Sequence, residues 1–107
     1  VRYDAGMRPN EATCLVVSNV LVADGMMTDD ERGFLATLMA RLALTDDERA
    51  RVIDLEGVAQ ATAVVRGLPA EERQALLELA LDAAAADGRL SAHEHAALAA
   101  LRADLAL

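Results

Sequence analysis

One pattern limits what this chain can fold into: the sequence around Asp24 returns around Asp87, at an offset of 63 residues. Ala23-Asp24-Gly25 recurs as Ala86-Asp87-Gly88, Thr28 as Ser91 and Glu31 as Glu94. The match runs on through Leu35/Leu98, Ala36/Ala99, Leu38/Leu101, Ala40/Ala103 and Leu42/Leu105, and upstream through Asn19/Asp82. Self-similarity of this kind marks one supersecondary unit used twice. Each unit is an apolar segment, a Gly turn and an amphipathic segment. Two helical hairpins with pseudo-twofold symmetry, repeats of about 14–44 and 77–107, bury their apolar segments against each other.

Helix is the state that the composition favours. The chain is rich in Ala and Leu, and Tyr3 and Phe34 are its only aromatic residues. Ala and Leu lead the helix scale, whereas strands prefer β-branched and aromatic residues. No segment alternates convincingly as a strand does. The expected fold is an all-α, compact bundle of about six helices. Residues 1–9 form a loose N-terminal arm, and 10–107 form a single domain. Asn10 caps a first helix to about Ala23, apolar on nearly every side and so central. Gly25 and Gly88 end the two long helices in the left-handed conformation. Thr28-Asp-Asp-Glu31, Thr45-Asp-Asp-Glu48 and Ser91-Ala-His-Glu94 are capping boxes. They start helices to about Ala43, Leu55 and Leu105. A short helix spans Val58 to Arg66, and Gly67 breaks it. Pro69 suits the first position of a long helix, 69–86.

Charge excludes some partners. Eighteen acidic residues against ten basic ones, all arginine, give a net charge of −8. Such a domain repels phosphate backbones and anionic lipid heads, so no nucleic-acid partner is expected. It accepts a cation or a basic protein surface. Cys14 is the sole cysteine, so no internal disulfide forms; it reads as a small buried hydrophobe. No apolar run reaches ~18 residues and no leader pattern is present, so no membrane insertion by this segment is expected. The chain opens at Val1 rather than Met, which is compatible with an excised domain.

The two motifs share the pattern A-D-G-x-[apolar]-[ST]-x-x-E. In this the chain resembles the TerB-like family, named for tellurite resistance, over about residues 10–107. Similar domains occur at the end of some membrane-anchored J-domain co-chaperones. The resemblance implies an all-α bundle and a bacterial cytoplasmic setting, with recruitment to the inner face of a membrane as a variant. It also implies a part in stress responses, through metal sensing or the scaffolding of a complex with a protein partner, and no catalytic mechanism.

Metal binding is testable against the calcium loop D-x-[DN]-x-[DN]-G-x₅-E. With Gly25 on the loop's glycine, Asp24 and Glu31 fall on ligand positions and Met27 on the apolar one. Asp87, Gly88, Leu90 and Glu94 align likewise. The first half of each loop fails, because Val20, Val22, Ala83 and Ala85 cannot ligate. Ca²⁺ needs about six to eight oxygens, so neither turn suffices alone. If the twofold brings the turns together, Asp24, Glu31, Asp87 and Glu94 form one shared site for a divalent cation (Ca²⁺, Mg²⁺ or Zn²⁺). In the alternative, structural reading, Asp24 and Asp87 hold the turns beside Gly25 and Gly88. Glu31 and Glu94 then only complete the caps with Thr28 and Ser91. Asn19, where the second repeat has Asp82, leaves the first half one carboxylate short.

The remaining polar features carry less. His93 and His95 lie about 200° apart around a helix of ~3.6 residues per turn, so they cannot share a metal. Gln74, Glu78 and Asp82 form a stripe that reads as a solvated face. If the helix is instead central, Asp82 is buried and needs Arg41 or Arg89. No nucleophile–base pair or phosphate loop is recognisable, so the expected role is non-catalytic.

Overall fold

Six helices make up the protein: α1 (Pro9–Leu21), α2 (Asp29–Arg41), α3 (Asp46–Ile53), α4 (Val58–Arg66), α5 (Ala70–Ala84) and α6 (Ala92–Asp104). They are described in a computed structural model covering residues 7–107 apart from 24, 87 and 89. No strand occurs among the described residues. The fold is the all-α bundle that the sequence predicts.

The repeat is visible in the helix boundaries. Shifted by 63 residues, α2 falls on α6 at both ends, and the end of α1 falls on the end of α5. Gly25 and Gly88 take φ of +94° and +82°. Their N–H groups donate to Val22 O at 2.8 Å and Ala85 O at 2.9 Å. These left-handed conformations suit glycine, which lacks a Cβ to clash. The correspondence also runs past the amphipathic helices. Ala43 and Ala106 are both left-handed, at φ +55° and +58°. After them Leu44 N–H donates to Met39 O and Leu107 N–H to Arg102 O, each at 3.1 Å. These six-to-one bonds close a Schellman ending, here on alanine instead of glycine.

α1 is the centre. It packs on each of the other five helices. Leu15, Val17, Leu21 and Cys14 on it are fully buried, and so is Glu11. The expectation that both long helices would be enclosed holds for α1 alone. On α5, Leu76, Ala80, Ala83 and Ala84 are buried, while Leu81 stays 47% exposed. The cause is the connection between the repeats: α3 and α4 pack on α1, so they roof the first repeat and leave α5 open. Gln74, Glu78 and Asp82 therefore lie on an exposed face, and Gln74 Nε2 donates to Glu78 at 3.3 Å. An exposed Asp82 needs no arginine.

The N-terminal boundary differs from expectation. Arg8, with φ −75° and ψ 151°, occupies the cap position, and Pro9 begins the helix. Proline's fixed φ and missing N–H suit the first helical position. Asn10 is thus inside α1, and its Nδ2 donates to Leu42 O at 3.1 Å. Arg8 is not part of a loose arm; its Nη2 meets Glu48 Oε1 at 2.6 Å and Ala43 O at 3.2 Å. Residues 1–6 of the expected arm lie outside the described residues. Pro69 stands one place before α5, which begins at Ala70 and ends at Ala84, short of the expected 86.

Glu11 is answered by Arg51 of α3, whose Nε and Nη2 donate to its two oxygens at 2.7 and 3.0 Å. Removing one partner of a buried pair strands the other charge. Glu11 is enclosed while Arg51 is part-exposed; we expect Arg51→Ala to lower the chemical-denaturation midpoint, because it strands the buried carboxylate, and Glu11→Gln combined with Arg51→Met to lower it far less. At the Schellman endings, alanine spends about 1–2 kcal/mol on its left-handed conformation. Ala43→Gly should raise the melting temperature by several degrees in a calorimetric scan, since about 1 kcal/mol moves it roughly 4–8 °C in a domain near this size.

Candidate functional site

The two predicted capping boxes at the Asp-Gly turns form, and their glutamates meet. Thr28 N–H donates to Glu31 Oε1 at 2.9 Å, and Glu31 N–H donates to Thr28 Oγ1 at 3.1 Å. Ser91 N–H donates to Glu94 Oε1 at 3.0 Å, and Glu94 N–H returns to Ser91 Oγ at 3.0 Å. Each box satisfies two helix-terminal N–H groups that have no partner inside the helix. Glu31 and Glu94 are 2% and 3% exposed, and their carboxyl groups lie within hydrogen-bonding reach of each other. The two glutamates are equivalent positions at the 63-residue offset.

Two ionised carboxylates have four acceptor oxygens and no donor. Glu94 Oε2 is buried and accepts no hydrogen bond. An orphaned buried oxygen of this kind costs about 1–3 kcal/mol, more if charged. A proton shared between the two glutamates satisfies it, and so does a cation. The electrostatics carry the same signature. Burial, and then the neighbouring Glu94, push Glu31 up to about 7 from an ordinary 4.5.

The third box shows what the local motif does without that neighbour. Thr45 N–H donates to Glu48 Oε1 at 2.8 Å in the same geometry. The arginine of Arg8 bonds both oxygens of Glu48, at 2.6 and 2.7 Å, and holds it down at about 2. Identical caps thus differ in proton affinity because burial, and then a facing carboxyl group, raise Glu31, whereas a guanidinium lowers Glu48.

Of the four carboxylates that the sequence assigns to a shared site, the structure brings Glu31 and Glu94 together. Asp24 and Asp87 lie outside the described residues. Among the described residues, no group of three or more His, Cys, Asp or Glu side chains that could hold a metal ion occurs. His93 and His95 are exposed on α6. Cys14 is enclosed in α1, and burial pushes its thiol up to about 12. The pairings of Arg8 and Arg51 were not legible from the sequence. The available signal was Glu11 itself, a carboxylate within a helix apolar on nearly every face.

The sequence model of one family, Tellurite resistance protein TerB, matches residues 10–107. No curated protein and no solved structure matches the chain.

The raised Glu31 has a definite consequence for stability. The folded protein holds the Glu31 proton more tightly than the unfolded chain, so this site favours folding most below the ordinary 4.5, and that contribution is lost as pH rises through about 7. Glu48 acts in the opposite sense: its contribution is present above 4.5 and lost as pH falls toward about 2. Thermal denaturation followed by circular dichroism across pH should show a decline on each side. Glu31→Gln should flatten the alkaline decline and leave the acid one. An unchanged alkaline limb would show that Glu31 titrates normally.

Proposed function

Because the chain belongs to the tellurite resistance protein TerB family, we propose that it is a non-catalytic module of the tellurite-resistance type, acting in a stress-response or envelope-associated complex and holding a divalent cation between its two Asp-Gly turns. The observation that carries the cation reading is the buried Glu94 Oε2 without a partner, placed beside Glu31. Full ionisation of that pair calls for a positive charge between the two side chains. Glu31 and Glu94 would be the central ligands, each retaining Oε1 on its own cap. Asp24 and Asp87, beside the same turns in sequence, would add further oxygens, with water completing the shell. An all-oxygen donor set suits Mg²⁺ or Ca²⁺ better than Zn²⁺, which prefers nitrogen and sulfur. The cation would supply charge neutralisation and tie the two repeats together.

The role as a protein-interaction module is supported by the net charge of −8, which suits a basic partner. Among the described residues, no helix is long and apolar enough to cross a membrane. Any recruitment to a membrane would then run through a partner or through flanking sequence.

Isothermal titration of the protein with Mg²⁺ and with Ca²⁺ tests the site. We expect saturable heat, with release of protons near neutral pH, because the cation displaces the proton that Glu31 retains. The melting temperature should rise with cation, as it does for any ligand that binds only the folded state. Glu31→Gln together with Glu94→Gln should abolish both effects while the fold persists. No heat and no thermal shift at millimolar cation would overturn the reading.

A further inference from the structure

A groove lies on the first repeat, next to its Asp-Gly turn. Its walls are Val22 at the end of α1, Met26 and Met27 of the turn, Leu35 and Met39 of α2, and Ile53 at the end of α3. Its volume is about 570 Å³. The floor is closed, with Leu35 and Met39 buried, while Met26 and Ile53 on the rim are 75% and 67% exposed. Among the described residues of the lining, Arg32 is the one that is charged, and Asp29 pairs with it at 2.8 Å.

The internal repeat shows that this face is particular to one half. At the 63-residue offset, Met26 and Met39 correspond to Arg89 and Arg102. The first half carries thioethers where its relative carries guanidinium groups. Methionine is unbranched and polarizable, and it adapts to the shape of an apolar side chain set against it. The fourth wall has no counterpart in the second half, since Ile53 belongs to the connection between the repeats.

We propose that this groove docks the apolar face of a basic amphipathic helix from a partner protein. The inference deepens the interaction-module reading and is independent of the cation. Shape points to a helix. The lining residues Arg32, Leu35, Ala36 and Met39 follow the i, i+3, i+4, i+7 rule, a row of about 10 Å at ~1.5 Å per residue. Apolar anchors with that spacing on a docking helix cover the same length. Charge points to a basic one. Between Ser18 and Glu56 there are nine acidic residues and four arginines. Two of those arginines are committed, Arg32 to Asp29 and Arg51 to Glu11, and so are three of the carboxylates, Asp29 to Arg32, Glu48 to Arg8 and the buried Glu31 to its own cap, which still leaves the balance acidic. Asp54 directly follows Ile53 on the rim and is exposed. Lysines flanking the apolar stripe of a docking helix meet carboxylates there, whereas an acidic helix is repelled.

The test is fluorescence anisotropy of labelled model peptides against the full chain, in chelator so that cation binding plays no part. A Leu/Lys peptide with helical amphipathic spacing should bind with one-to-one stoichiometry. It should bind at least about tenfold more tightly, ~1.4 kcal/mol, than a Leu/Glu peptide of the same spacing or a Leu/Lys peptide scrambled to break the periodicity. Ile53→Gln and Met26→Gln change no charge and sit on the rim, so the fold should hold, as circular dichroism will check. Each should weaken the Leu/Lys peptide severalfold. Equal binding of the scrambled peptide, or no effect of Ile53→Gln, would reduce the interaction to bulk charge and overturn the proposal. Self-association in sedimentation that Ile53→Gln removes would assign the groove to a second copy of the chain and overturn it as well. Loss of cation binding in the titration above, with peptide binding intact, would separate the two readings.

Discussion

A helix surrounded on nearly all sides has little solvent to satisfy its polar groups, and α1 is such a helix. Its enclosure sets the arrangement of the other five. α2 and α3–α4 close its flanks, and α5 and α6 bring the second repeat against what remains. Apolar side chains meet this demand readily, and even Cys14 is held there as a neutral thiol. Glu11 does not, and it draws Arg51 of α3 across the surface of the core. Arg8, just before α1, makes a similar pair with Glu48. The segment between the repeats is therefore structural. Two of its carboxylate–guanidinium contacts fix how the first repeat is roofed, and that roof explains why α5 is exposed where α1 is not.

The capping boxes separate what is local from what is tertiary. Three copies of one short motif form three caps with nearly the same bond lengths. Their glutamates all do the same work for the helix N-terminus. Yet Glu48 lies near the bottom of the carboxylate range and Glu31 lies near neutrality. Nothing in the four-residue motif distinguishes them. The difference comes from the surroundings: burial and a facing glutamate raise Glu31, whereas Arg8 reaches both oxygens of Glu48.

This is also the line between what was legible in the sequence and what was not. The repeat, the positive φ of Gly25 and Gly88, the three caps and the six helices follow from spacing and residue type, which act over a few residues. Pro9 took the start of α1 from Asn10 because a restricted φ outweighed a polar side chain's capping preference. Ala43 and Ala106 could not be expected to turn left-handed, since alanine's own preference is for the right-handed region. The openness of α5 required knowing which side the connecting helices would choose. Of the carboxylate cluster, the sequence identified Glu31 and Glu94 as equivalents. Only the fold shows that the two equivalents face each other, because a repeat specifies correspondence and says nothing of which positions meet.

The unequal methionines and arginines have a consequence for valency. A symmetric homodimer of single repeats would have to carry every surface twice, and any groove on it would recruit two partners or cross-link them. Fusing the repeats into one chain releases that constraint. One half can keep cations at positions where the other has become apolar, and the connecting segment can add Ile53 to one side without adding it to both. Among the described residues, equivalent positions of the two repeats meet at Glu31 and Glu94, while the apolar groove lined by Met26, Met39 and Ile53 lies on the first repeat.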